Sequence, residues 1–243
     1  MPTQSAKIVF ITGTDTGAGK TLLTALLLCQ LRQSGVCALA MKPFCSGSTA
    51  DVELLDAMQN QELSRESLNP FYFSAPIAPL VAARKLTRSI KLVEVVQRIR
   101  EVQQKCDWLL VEGSGGLLVP LGEGYSVLDL IKKLECEVVV AARNRVGVIN
   151  HALMTTRLLQ EFKLKQNTIV LMGCNRADMS TVTNRTILQE FAVGTPVYEL
   201  PYLGPRASRV GAIKNSHKKT KKTLAQILKT DTLSSRSSGT SSK

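Results

Sequence analysis

The densest chemistry in the chain lies at Gly13-Thr14-Asp15-Thr16-Gly17-Ala18-Gly19-Lys20-Thr21. An apolar run, Ile8-Val9-Phe10-Ile11, precedes it, and Leu22-Leu23-Thr24-Ala25-Leu26-Leu27-Leu28 follows, so a glycine-rich turn joins a strand to a helix. A phosphate-binding loop requires that context. Its glycines turn backbone N–H groups inward around phosphate oxygens, and the helix N-terminus presents its positive dipole end. Lys20 has the place of the lysine that reaches the β- and γ-phosphates, and Thr21 that of the hydroxyl that ligates Mg²⁺. Five residues rather than four separate Gly13 from Gly19, and Thr14 stands where the first glycine of the standard pattern would be.

Further candidates stand where other apolar runs end. Ala40-Met41-Lys42-Pro43 leads into Phe44-Cys45-Ser46-Gly47-Ser48. A lysine at a strand's carboxyl end can hold an anionic intermediate, or it can be an ordinary solvated lysine; the small residues that follow favour a backbone-exposing loop. Asp51 is read either as a helix N-cap or as a metal ligand near the γ-phosphate. Asp107-Trp108-Leu109-Leu110-Val111-Glu112 ends on an acid and runs into Gly113-Ser114-Gly115-Gly116. An acid in that place serves Mg²⁺ in phosphate-loop proteins, and Gly113 and Gly115 permit close approach of a ligand. Gly147, Val148, Ile149 and Asn150 form a turn into another helix, and Asn175 can offer an acceptor and a donor to a purine edge or serve as a turn residue.

The elements that must position these residues alternate. Strands are expected at 7–12, 36–42, 107–112, 137–142, 168–173 and 196–200, with amphipathic stretches near 21–34, 52–63, 90–105, 126–134, 149–162 and 183–193. This implies an α/β fold of the P-loop NTPase type, a mostly parallel central sheet with helices on both faces. Ligands bind such sheets at the carboxyl ends of the strands, where all the candidates lie. The expected division is one domain over 1–205 and a basic, Ser/Lys-rich tail over 206–243, without order beyond a short helix around Thr223–Leu228.

Composition bounds the function classes. The chain has 243 residues, 44% apolar and 5% aromatic, enough for one sizeable and mainly aliphatic core. The net charge of +12 suggests nucleic acid, but ten Lys/Arg and one acid fall in 206–243, leaving +3 on the rest (12 − 9). Nucleic acid is therefore expected at most nonspecifically, through the tail. The six cysteines form no Cys-x-x-Cys pair and there are two histidines, which argues against zinc and for reduced thiols. With no export signal and no apolar run of about 18 residues, the expectation is a cytoplasmic protein outside the membrane.

Taken in order, these motifs resemble the dethiobiotin synthase family. The resemblance runs from Ile8 to about Leu203 and includes the five-residue loop spacing, Lys42-Pro43 with Ser46-Gly47-Ser48, and Glu112-Gly113-Ser114-Gly115-Gly116 with Pro120-Leu121. Gly147-Val148-Ile149-Asn150-His151, Asn175 and Asn69-Pro70-Phe71-Tyr72-Phe73 with Pro76 and Pro79 complete it. It implies a homodimer that uses ATP, Mg²⁺ and carbon dioxide to close a ureido ring on 7,8-diaminononanoate, through a carbamate and a carbamic–phosphoric anhydride. It further implies that Lys20 and Lys42 neutralise phosphate and carbamate charge, and that Thr16 and Ser46 orient them. Thr21, Asp51 and Glu112 would hold Mg²⁺, residues 14–21 with Gly113 and Gly115 the phosphates, and Asn175 the adenine. Residues 147–150 of the partner subunit would take the substrate carboxylate.

The sequence departs from the family pattern at Gly17, where many members carry Glu, and at Leu80, where His is common. The loop between Lys42 and Asp51 is short, and Ile187 stands where a Tyr is expected to help bind the carboxylate. Two other readings compete. A carboxylate-amidating enzyme of the same fold would need an added glutaminase domain, for which there is no length. A switch ATPase of the partitioning type would carry a second lysine ahead of the loop, where this chain has Asp15.

Overall fold

The computed structural model describes residues 6–164 and 167–229. In chain order it contains β1 (Lys7–Gly13), α1 (Lys20–Gln33), β2 (Ala38–Met41), β3 (Phe44–Ser46), α2 (Ala50–Met58), α3 (Arg65–Leu68), β4 (Phe71–Phe73), α4 (Pro79–Lys85) and α5 (Leu92–Gln103). There follow β5 (Trp108–Glu112), β6 (Pro120–Gly122), β7 (Tyr125–Ser126), α6 (Val127–Leu134), β8 (Glu137–Arg143), α7 (Val148–Glu161), β9 (Asn167–Met172), α8 (Ser180–Phe191), β10 (Val197–Leu200) and α9 (Val210–Leu228).

Six strands form one parallel sheet in the order β10-β9-β8-β1-β5-β2. Their apolar runs are buried on both faces, as parallel strands under helices must be. Along β9 the alternation is visible: Ile169 and Leu171 join Val148, Ala152 and Leu188 of α7 and α8, whereas Val170 and Met172 join the larger cluster that holds α1 and α9. The expected fold class and all six expected sheet strands are present. β1 is flanked by β5 and β8, so the loop after β1 opens between the ends of strands that lead away on either side. That switch point is where open α/β sheets bind ligands.

Two small pairings lie outside this sheet and were not expected. Parallel β3–β4 fastens the chain after Lys42 to residues 71–73, with Phe44 and Phe71 stacked at 4.9 Å between ring centroids. Antiparallel β6–β7 closes the loop that follows Gly116. Helix α2 ends at Met58 rather than near 63, because Asn60 and Gln61 take left-handed backbone conformations (φ 55° and 58°) that end the helix.

The expected boundary at residue 206 is corrected. Residues 210–228 form a helix, α9, that packs on α1 and buries Ile213, His217, Thr220, Leu224, Ile227 and Leu228. The cause lies in α1, where Leu23, Leu26, Leu27, Leu28 and Leu31 are all fully buried. A helix apolar on every side must be covered on every side, and the sheet covers only one of them. Residues 230–243, the remainder of the expected tail, lie outside the described residues. No described helix is long and apolar enough to cross a membrane.

The α1–α9 contact contains a buried polar pair. His217 Nε2 lies 2.7 Å from Gln30 Oε1, and Gln30 Nε2 donates to Ser34 Oγ, which orients the amide so that the imidazole Nε2–H is the donor. Nδ1 is buried without a hydrogen-bond partner among the described residues. Burial, and secondarily Lys221, lowers the His217 pKa. A histidine depressed in the folded state gives stability that is complete above its unfolded pKa of about 6.5 and is lost as pH falls below that value. The melting temperature should therefore fall from pH 7 to pH 5 more steeply in the wild type than in His217→Gln. Leu224→Ala should cost about 2–5 kcal/mol in urea unfolding.

Candidate active site

The phosphate loop leaves β1 at Gly13 and enters α1 at Lys20. Gly19, the helix N-cap, has φ 95°, a conformation that glycine adopts without strain. Asp15 Oδ1 accepts from the Thr16 amide at 2.6 Å, and the Lys20 ammonium folds back to donate to the Asp15 carbonyl at 3.2 Å. A side chain at Gly13 would come within 2.9 Å of that carbonyl and 3.2 Å of Lys20 Nζ. Burial lowers the Lys20 pKa, and Lys42 adds to the effect, whereas Glu112 opposes it.

The sheet register brings the next residues to the loop. β1 and β5 pair with Ile11 level with Glu112, and β5 and β2 pair with Val111 level with Met41. Glu112 and Lys42 therefore emerge side by side beneath the loop. Glu112 is fully buried. Its Oε1 accepts from Thr21 Oγ1 at 2.7 Å and from Lys42 Nζ at 2.6 Å. Lys42 Nζ also contacts Asp51 Oδ2 at 2.5 Å. Burial works against the Lys42 charge, but Glu112 and Asp51 outweigh it and hold its pKa above the ordinary lysine value. The N-cap of α2 is Thr49, so Asp51 is no cap; it lies in the first turn and points to Lys42.

Above these groups opens a cavity of about 670 Å³, lined by Thr16, Lys20, Thr21, Lys42, Ser46, Asp51, Glu112, Ser114, Gly115 and the wall Pro76–Pro79. Glu112 Oε2 and Ser46 Oγ are buried without hydrogen-bond partners among the described residues. The donors gathered here are hard oxygens: the Thr21 hydroxyl and the Asp51 and Glu112 carboxylates. Mg²⁺ takes one or two protein carboxylates and completes its shell with phosphate and water, so the donor set and the orphaned Glu112 oxygen fit it. Two cations, two carboxylates and aligned hydroxyls suit charge neutralisation around a transferring phosphoryl group.

A second cavity, about 320 Å³, adjoins the loop at Gly17–Gly19 and Leu22. Met172, Gly173, Cys174 and Asn175 form one side, and Pro201, Tyr202, Leu203, Gly204 and Ala207 the other. Asn175 thus faces a slot that continues from the phosphate loop. The 201–207 wall was not identified in the sequence, although Pro201 and Gly204 follow an apolar strand end in the same way as the other candidates. Gly173 makes the slot possible: its N–H donates to the Leu200 carbonyl at 2.8 Å, and an added Cβ would sit 2.3 Å from the Tyr202 amide nitrogen.

Gly147, Val148, Ile149 and Asn150 are not brought to the 670 Å³ cavity. Gly147 caps α7 with φ 90°, Val148 is buried, and Asn150 is exposed. Of the four, Val148 meets the phosphate loop, in a small cleft lined also by Arg143 and Arg145, which were not among the expected site residues. Ile187 lies on α8 and is half-buried.

The family model described as an AAA domain matches residues 7–220. The ATP-dependent dethiobiotin synthetase BioD of Bacillus licheniformis is 36% identical over 194 residues, 77% of this chain and 82% of that protein. The protein of the same name from Anaeromyxobacter is 36% identical over 206 residues, covering 83% and 92%. Among solved structures, the MinD cell division protein of Aquifex aeolicus superposes with a TM-score of 0.58 at 14% identity, over 92% of this chain and 97% of that one. pNOB8 ParA bound to nonspecific DNA gives 0.56 at 12%, over 93% and 99%. At such identity these two show a shared fold alone.

Gly173→Ala should push the 201–204 segment away from Asn175 while sparing the lysines. The expected result is at least about a tenfold loss of ATP affinity, or about 1.4 kcal/mol, in a fluorescent-nucleotide titration, with inorganic phosphate binding unaltered.

Proposed function

The chain belongs to the ATP-dependent dethiobiotin synthetase family, and we propose from that premise that it closes the ureido ring of dethiobiotin on 7,8-diaminononanoate, consuming carbon dioxide and ATP. The observation that carries this reading is the Lys42 ammonium, held between Asp51 and Glu112 and facing one cavity with Lys20.

One substrate amine adds to carbon dioxide and loses a proton to give a carbamate. A carbamate oxygen attacks the γ-phosphorus of ATP and expels ADP. The second amine then attacks the carbonyl carbon of the mixed anhydride, closing the ring and releasing phosphate. Lys20, reaching over the phosphate loop, is placed for the β- and γ-phosphates. Lys42 is placed for the carbamate, with Ser46 and Thr16 offering hydroxyls on either side. Asn175 and the 201–204 segment hold the adenine. Thr21, Glu112 and Asp51 would hold Mg²⁺, which supplies charge neutralisation on the transferring phosphoryl group. This division of labour asks for positioning and electrostatics rather than a protein nucleophile, and the site offers those.

We further propose a homodimer in which Gly147, Val148, Ile149 and Asn150 of the second copy receive the substrate carboxylate. Because Ile187 has no hydroxyl to donate, that grip rests on the N-terminus of α7.

Phosphate release from Mg-ATP and bicarbonate should depend on the diamine and yield a product with the mass of the cyclic urea. Release indifferent to the diamine would move the assignment to another ligase of this fold. Lys42→Ala should still fold and bind ATP, at a cost in stability of about 3–5 kcal/mol, but lose at least about 100-fold in ring closure, the scale of one lost oxyanion-type contact. Glu112→Gln should raise the Mg²⁺ concentration needed for half-maximal rate; an unaltered Mg²⁺ titration would place the metal elsewhere.

A further inference from the structure

Helix α9 buries one side against α1 and turns the other to solvent. Lys214, Lys218, Lys219, Lys221 and Lys222 are exposed on it, and the helix contains neither Asp nor Glu. Lys214, Lys218 and Lys222 follow one another at i, i+4 and i+8, and Lys218–Lys221 and Lys219–Lys222 are i, i+3 pairs. Like charges at these spacings destabilise a helix. Among the described residues, none of the five is in an ion pair. On α2, which packs against α9, Glu53 accepts a hydrogen bond from Thr49 within its own helix turn. The helix thus keeps a row of unneutralised positive charge with a step of about 6 Å along its axis. Arg206 and Arg209, both exposed, extend the charge at its N-terminal end.

We propose that the exposed face of α9 binds the phosphodiester backbone of nucleic acid, without sequence preference. A polyanion of closely spaced phosphates neutralises several lysines at once and releases its own counterions, which is the driving force of such binding. Lysines on a surface helix read phosphate charge rather than base identity. A lipid surface fits less well. A helix that lies in a membrane inserts its apolar face, and the apolar face of α9 is already packed in the core. None of the five lysines lines either ligand cavity, so this surface is separate from the nucleotide site.

The test is the full-length chain titrated into a labelled random-sequence DNA duplex of roughly 20 base pairs, between about 50 and 200 mM NaCl. Saturating ATP analogue should leave binding unchanged. In Lys214→Gln/Lys218→Gln/Lys222→Gln the slope of log affinity against log salt should flatten by about three, and affinity at about 50 mM should fall at least about tenfold. Ring-closing rate and melting temperature should match the wild type. If the triple variant is unstable, Lys218→Gln alone should flatten the slope by about one. An unchanged slope and affinity in either variant would overturn the proposal, as would failure of the wild type to bind the duplex at the lowest salt. Binding to vesicles containing phosphatidylserine without binding to the duplex would overturn it in favour of a lipid surface.

Discussion

The rest of the structure depends on one buried ion cluster. Lys42, Asp51 and Glu112 come from the end of β2, the first turn of α2 and the end of β5, and they meet within hydrogen-bonding distance. Taking a carboxylate such as Glu112 wholly out of water costs several kcal/mol, roughly, and removing one partner of a buried pair costs about 3–5 kcal/mol. The Thr21 hydroxyl and the Lys42 ammonium offset that cost only if β5 lies between β1 and β2 in the observed register. A slip of one residue would turn Glu112 to the other face of the sheet. The strand order, the loop after β1 and the tight connection after β2 all serve to keep these charges together.

The support for Lys42 extends outward. Asn69 is buried, and its amide nitrogen donates to the Lys42 carbonyl at 2.7 Å. The Leu68 carbonyl accepts from the Lys42 amide, and the stacked rings of Phe44 and Phe71 close the layer beneath. The side chain facing the cavity is thus fixed by hydrogen bonds to its own backbone from a segment nearly thirty residues away in sequence.

Much of this arrangement was legible because parallel strands buried on both faces are written as apolar runs, and a charged residue ending such a run has few structural reasons to be there. Lys42, Glu112 and the phosphate loop stood out on that ground. The walls did not. β3 and β4 are too short to show a period, and Pro76 and Pro79, which line the cavity, entered only through the resemblance, with no site role attached. The slot wall at Pro201–Gly204 sits at a strand end like the others, but it carries no charged side chain. Helix α9 was hidden by its own polarity, since His217 and Thr220 are among its buried residues. The signal lay in its partner: the leucines of α1 are too many for one covered side.

The segment joining β10 to α9 belongs to two structures at once. Pro201–Gly204 and Ala207 form one wall of the slot beside Asn175, Ser208 borders the larger cavity, and two residues later the chain enters the helix that covers α1. A ligand in the slot and the packing of that helix therefore share one stretch of backbone. If the docked helix adds to the affinity of a ligand in the slot, that ligand returns the same factor to the helix as resistance to undocking. The carboxyl-terminal region, so rich in lysine that it reads as an appendage, is in this sense continuous with the cavity wall.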